Sequence, residues 1–220
     1  MLLKPISALA NKTRALAQSW RGDKRGVAAV EFAFIVPIMF TMFVGAVELS
    51  QAIIVDRRVT QVASSMADLV ARKETSINLS EIGDITKIGG YIMMPYSQTP
   101  LRVVVRNVTS SSSDAKQTKQ SWQCTFKGIG SNPEPTCTCM NDIYNIPDNL
   151  VTTTDSVVVA EVEYDYQPLI FDYFMKKGFP NGTKGGEGIY TLMERIFMKP
   201  RGQAAMLLKS DGTPCPSPTF

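Results

Sequence analysis

Glu31, a triplet of acids and four cysteines are the residues of this chain whose chemistry and spacing ask for an explanation. Glu31 is the one charge within the 21 residues Val27–Val47. An ionised carboxylate in hydrocarbon costs about 3 kcal/mol on insertion scales, so it requires a partner. Glu161, Glu163 and Asp165 alternate along one run, and hard cations take carboxylate oxygens. Their first and last side chains stand well apart along a strand, however, and no DxDxDG loop accompanies them. A solvated strand face is the expectation. The glycines of Gly182–Gly188 (GTKGGEG) lack the Walker spacing of a phosphate cradle and read as a mobile loop. There is no histidine in the sequence, which removes the Ser-His-Asp triad, the Cys-His dyad and the HExxH zinc site. No catalytic residue, metal site or cofactor is expected, and the chain reads as a non-enzyme.

The elements that must position Glu31 are legible from charge and hydropathy. The 220 residues are 44% hydrophobic and 20% charged with a formal net charge of +3, which excludes a collagen-like, strongly disordered or multi-span chain. Such a charge also makes no phosphate-neutralising surface, so no nucleic-acid partner is expected. The charge is unevenly placed. Before Val27 stand six basic residues and one acid, a net +5; from Val27 onward stand 17 basic and 19 acidic residues, a net −2. Phe32–Val47 (FAFIVPIMFTMFVGAV) follows with sixteen uncharged residues. A helix over Val27–Val47 would roughly span the ~30 Å hydrocarbon core. Its basic flank predicts a cytoplasmic N-terminus and a translocated remainder. Three fates are open: a permanent anchor, a signal peptide cut after Ala46 in Val44-Gly45-Ala46, or processing at Gly26 with Val27 as the first mature residue. A plain anchor or signal peptide has no use for Glu31, which favours the third.

The helix is expected to continue to Lys73, since no proline or glycine interrupts Ala46–Lys73. Ala52, Val55, Val59, Val62, Met66 and Leu69 form an apolar seam, whose simplest use is docking the protein's own sheet. Pro37 removes a backbone donor and is expected to kink or loosen the helix. The region after Lys73 reads as β-rich. Strands are expected over Leu101–Val108, Ser121–Lys127 and Val157–Tyr166, the first two paired as a hairpin, with further candidates at Ile189–Met198 and Ala204–Leu208. Cys124, Cys137, Cys139 and Cys215 all lie in the part expected to cross the membrane, where oxidation is permitted. A Cys137–Cys139 ring would be tight. Cys124 and Cys215 are therefore expected to take one member each of the Cys-Thr-Cys pair, in either order. Paired CxxC hooks are absent, so disulfides are favoured over zinc.

Arg25-Gly26-Val27-Ala28-Ala29-Val30-Glu31-Phe32, followed by an apolar run with Pro37, resembles the start of the TadE/TadG-like pseudopilins of tight-adherence (type IVb) pili. The closing strand VVVAEVEYDYQPL and FMKPRG resemble that family more loosely. With no acidic metal site of the von Willebrand type, the likeness is to the TadE-like rather than the longer TadG-like members. The resemblance implies cleavage by a prepilin peptidase after Gly26, with Glu31 as the glutamate at the fifth mature position. There the carboxylate would accept the α-amino group of a neighbouring subunit. The 194 residues after Gly26 exceed the family's small major pilin, which implies a minor, initiating or tip role.

The expected protein is thus α+β, with a basic leader (1–26), a long helix (27–73) membrane-embedded over about 27–48, and a disulfide-stapled antiparallel domain (74–220). It would sit once through a bacterial inner membrane with its C-terminal domain periplasmic. Its partners would be lipid, the prepilin peptidase, other pilins and the inner-membrane assembly platform. The alternative is an uncleaved single-pass protein whose periplasmic domain binds an envelope partner.

Overall fold

Val27–Ala71 form one helix of 45 residues, α1, which runs without a break through Pro37. The computed structural model describes residues 26–128, 135–168, 189–202, 206–210 and 213–220; the glycine-rich stretch 182–188 lies outside them. The chain divides into two units inside α1, Met1–Val47 and Glu48–Phe220.

In the second unit the seam of α1 is buried at Val55, Val59, Val62 and Met66 and widened by Ala63, Ala67, Val70 and Ala71. Ala52 and Leu69 are half-buried. Small residues beside the seam let neighbouring backbones approach along more than one line of contact. The helix ends at Ala71, where the Arg201 amide donates to the Ala71 carbonyl at 2.9 Å. Asp68 joins the two sides, accepting from Arg72 at 2.6 Å and from Arg201 at 2.8 Å.

The stretch after Lys73 is not β-rich throughout. A short strand β1, Ser76–Asn78, leads into a second helix α2, Leu79–Met93. Ile82, Gly83, Ile85, Thr86, Gly89, Gly90 and Met93 are its buried positions, a helical spacing. The Asn78 amide donates to Glu81 Oε2 at 3.0 Å, satisfying one of the free donors of the first turn. Gly89 brings α2 close to α1: a Cβ there would lie 2.3 Å from Met66 Cε, so the end of the Met66 side chain would have to move. At the other end of α2, Arg58 of α1 donates to the carbonyls of Ile92 and Met94, both at 2.6 Å. A cation there meets carbonyls that have no helical partner.

Five strands then form an antiparallel sheet in the order β4-β3-β2-β5-β6. They are β2 (Leu101–Ser110), β3 (Thr118–Lys127), β4 (Thr136–Cys139), β5 (Ser156–Tyr166) and β6 (Tyr190–Met198). The expected hairpin is β2–β3, with Val105 opposite Cys124 and a bulge between Asn107 and Val108. A small second sheet, β1-β7-β8, is completed by β7 (Leu207–Ser210) and β8 (Thr213–Pro214). Its β1–β7 pair is parallel.

Leu101, Val103, Val105, Trp122, Phe126, Val158, Ala160 and Val162 share one core with α1 and α2. The Trp122 indole N–H within it donates to the Met206 carbonyl at 2.7 Å, so its one polar atom is satisfied. The opposite face of the sheet carries a smaller cluster of Val108, Val151, Val157 and Val159, covered by Tyr144, Ile146 and Leu150. The architecture is α+β: a long N-terminal helix followed by an antiparallel sheet domain held by two disulfides.

Candidate functional site

The first half of α1 is apolar and uncovered. From Phe32 to Phe43 the large side chains are 38% to 74% exposed, Val36 least and Phe34 most. The helix is long and apolar enough to cross a membrane. A contiguous exposed surface of this kind marks a membrane or a protein partner, because water alone would leave it costly. Such a segment points to membrane anchoring. Gly26 directly precedes α1 and is open: an added Cβ would meet nothing within 4 Å. Glu31 is exposed, and lies one turn beyond Val27 on the same side of the helix. At Pro37 the ring removes the donor that would serve the carbonyl four residues earlier. Thr41 Oγ1 donates to the Pro37 carbonyl at 2.8 Å, within an otherwise apolar stretch.

The folded unit presents no catalytic constellation among its described residues. No group of three metal-ligating side chains occurs among them. The acid triplet is not the solvated face that alternation predicts. Glu161 is only 15% exposed and accepts from Arg106 at 2.7 Å, from Arg195 at 2.6 Å and from the Tyr144 hydroxyl at 2.7 Å. The Arg106 guanidinium also stands 4.7 Å from the centre of the Tyr144 ring. Burial, then the Glu161 hydrogen bond and charge, push the Tyr144 phenol up to about 12. Glu163 accepts from Arg102 at 2.7 Å and Asp165 from Thr191 at 2.7 Å, each pair directly opposite in register. The face is a row of ion pairs and hydrogen bonds. What the alternation lacked was the cross-strand partners, which come from β2 and β6.

A second group surrounds the start of the folded unit. Tyr96, just beyond α2, donates to Gln51 Oε1 at 2.8 Å. Tyr164 donates to the Ser97 carbonyl at 3.1 Å. Tyr166 is held above the ordinary phenol value by burial first, then by the nearby Glu48 charge and Tyr96. Their meeting is not marked in the local sequence, since Tyr96 lies just beyond α2 while Tyr164 and Tyr166 lie on β5.

The disulfides are Cys124–Cys137 and Cys139–Cys215. The first joins directly paired positions of β3 and β4. The second ties β4 to the segment after β8, where Cys215 is buried in the main core.

A family model described as TadE-like protein matches residues 26–68, which supports the TadE-like family over that stretch. No curated protein and no solved structure matches the chain. The matched stretch begins at Gly26 and includes Glu31, Pro37 and the seam of α1 as far as Met66; the folded sheet lies outside it.

Proposed function

We propose that this protein is a TadE-like minor pseudopilin of a tight-adherence pilus, a structural component and not an enzyme. The supporting observation is a coincidence of position. The TadE-like match starts at Gly26, where the exposed apolar half of α1 also starts. In this reading the basic residues before Val27 hold the N-terminus in the cytoplasm. Prepilin peptidase then cuts the open Gly26–Val27 bond. The new α-amino group of one subunit pairs with Glu31 of another, so that neither charge remains alone in an apolar filament core. The second half of α1 is occupied by its own sheet, which leaves the first half for lipid before assembly and for neighbouring pilins afterwards.

Mass spectrometry of the mature N-terminus, in cells with and without active prepilin peptidase, tests the processing step. Val27 is expected with the peptidase and Met1 without it. Met1 in both would instead favour a permanent anchor, and Val47 a signal peptide. Glu31→Ala tests the pairing: the variant should fractionate with membranes as the parent does while surface pilus output falls by at least roughly tenfold, a floor well below the cost of about 3–5 kcal/mol for breaking a buried pair. Unchanged pilus output from that variant would remove Glu31 from the mechanism.

A further inference from the structure

The apolar run of α1 ends at Val47, and Gln51 lies one turn further along the helix. The folded unit gathers phenols around that turn. Tyr96 is bonded to Gln51 at 2.8 Å, and Tyr166 is close enough to Glu48 and Tyr96 to feel the charge of one and the phenol of the other. α2 ends near the Tyr96 ring: Arg58 of α1, two turns beyond Gln51, donates to the Ile92 and Met94 carbonyls and stands 5.6 Å from that ring. On that last turn Tyr91 is 69% exposed, and Met94 just beyond it is 54% exposed. Leu49 and Ile53, one turn apart on α1, also remain exposed. Rings with an apolar body and a polar tip are therefore gathered where hydrocarbon would give way to water.

We propose that Tyr91, Met94 and Tyr96 form a rim that rests in the headgroup and glycerol layer of the leaflet from which α1 emerges. The ligand is the phospholipid surface itself. A tyrosine at that depth buries its ring against acyl chains while its hydroxyl stays hydrated, which is why such rings concentrate at membrane interfaces. The Gln51–Tyr96 hydrogen bond and the Arg58 grip fix the rim to α1, so the rim sets how far the helix can sink. This rests on the reading that the first half of α1 inserts in a membrane. The geometry favours lipid over a second copy of the chain, because Gln51, which holds Tyr96, follows the end of the apolar run by one turn of helix.

Depth-dependent fluorescence quenching tests it. The full chain, carrying Trp20→Phe, is reconstituted at low protein density in phosphatidylethanolamine–phosphatidylglycerol vesicles with lipids brominated either near the headgroup or near the chain end. Trp122 is fully buried and serves as the unquenched reference. Two reporters are compared, Phe40→Trp in the apolar run and Tyr91→Trp on the rim. Phe40→Trp should be quenched most by deep bromines. Tyr91→Trp should be quenched at least about twofold more by shallow bromines than by deep ones. Deep quenching of Phe40→Trp with none of Tyr91→Trp overturns the rim and leaves insertion intact. Equal deep quenching of both also overturns it. If neither reporter is quenched, the inserted helix fails and the rim fails with it. Shielding of Tyr91→Trp together with cross-links between copies would assign the surface to a second copy and refute the lipid assignment.

Discussion

Replacing the Glu161 carboxylate by an amide would leave the Arg106 and Arg195 guanidiniums and the Tyr144 hydroxyl with one neutral acceptor oxygen at their centre, and a donor NH2 where the second oxygen stood. Arg106 and Glu161 are 13% and 15% exposed, so solvent can compensate only in part. Breaking such a pair leaves an uncompensated charge, and Glu161→Gln is expected to cost about 2 kcal/mol in urea unfolding, below the range for fully buried pairs. The neighbouring Arg102–Glu163 pair is 48% and 26% exposed. Glu163→Gln should therefore change stability by no more than about 0.5 kcal/mol. Similar losses from the two variants would mean that the Glu161 network is not special. The two acids occupy the same face two residues apart, and the partners that meet them separate their roles: Arg106, Arg195 and Tyr144 on Glu161, Arg102 on Glu163.

The two disulfides act on different elements. Cys124–Cys137 closes a sequence separation of 13 between adjacent strands, whereas Cys139–Cys215 closes 76 and fastens the C-terminal segment to β4. In the chain-entropy account the first contributes about 3 kcal/mol and the second about 4.5 kcal/mol. Replacing Cys139 and Cys215 together by alanine should thus lower stability more than replacing Cys124 and Cys137. Because only Thr138 separates the middle cysteines, partial reduction with stepwise alkylation is the way to map the pairs. A Cys124–Cys139 link in such a map would overturn the pairing. α2 shows what single-element reading misses. Its residues include glycines at 83, 89 and 90 and four isoleucines, which lower helix propensity and blur it toward a strand. The signal that was available is Asn78 followed by Glu81, with apolar positions at 82, 85 and 93. Its stability comes instead from Gly89 against Met66 and from the Arg58 grip, contacts with a helix that ends eight residues earlier in the chain.

For the whole molecule, charge would separate a precursor from the product of the proposed cleavage after Gly26. The full chain carries a formal +3, while the residues from Val27 onward carry 17 basic and 19 acidic side chains. Isoelectric focusing should show a basic species without prepilin peptidase and an acidic one with it. A single basic species under both conditions would mean that the leader is retained and would return the protein to the class of permanent anchors. Among the described residues, Asp68, Glu81, Asp84, Asp155, Glu161 and Glu163 are each tied up in ion pairs within the fold. A chain whose ion pairs staple its own surface has little net field left to steer a charged ligand, which suits a component that packs through an apolar helix.

The sequence by itself determined the helix, its two contrasting halves, the isolated Glu31 and the strands with clean alternation. Each of these follows from periodicity or composition within a few consecutive turns or residues, so no distant contact is needed to see it. The choice of Cys124–Cys137 over Cys124–Cys139, the second helix, the buried Glu161 network and the tyrosines around Gln51 were decided by tertiary structure. They depend on which residues distant in the chain meet across strands and helices. Side chains at positions 51, 96 and 166 become neighbours only when α1, the segment after α2 and β5 pack together, and local pattern carries no record of that meeting.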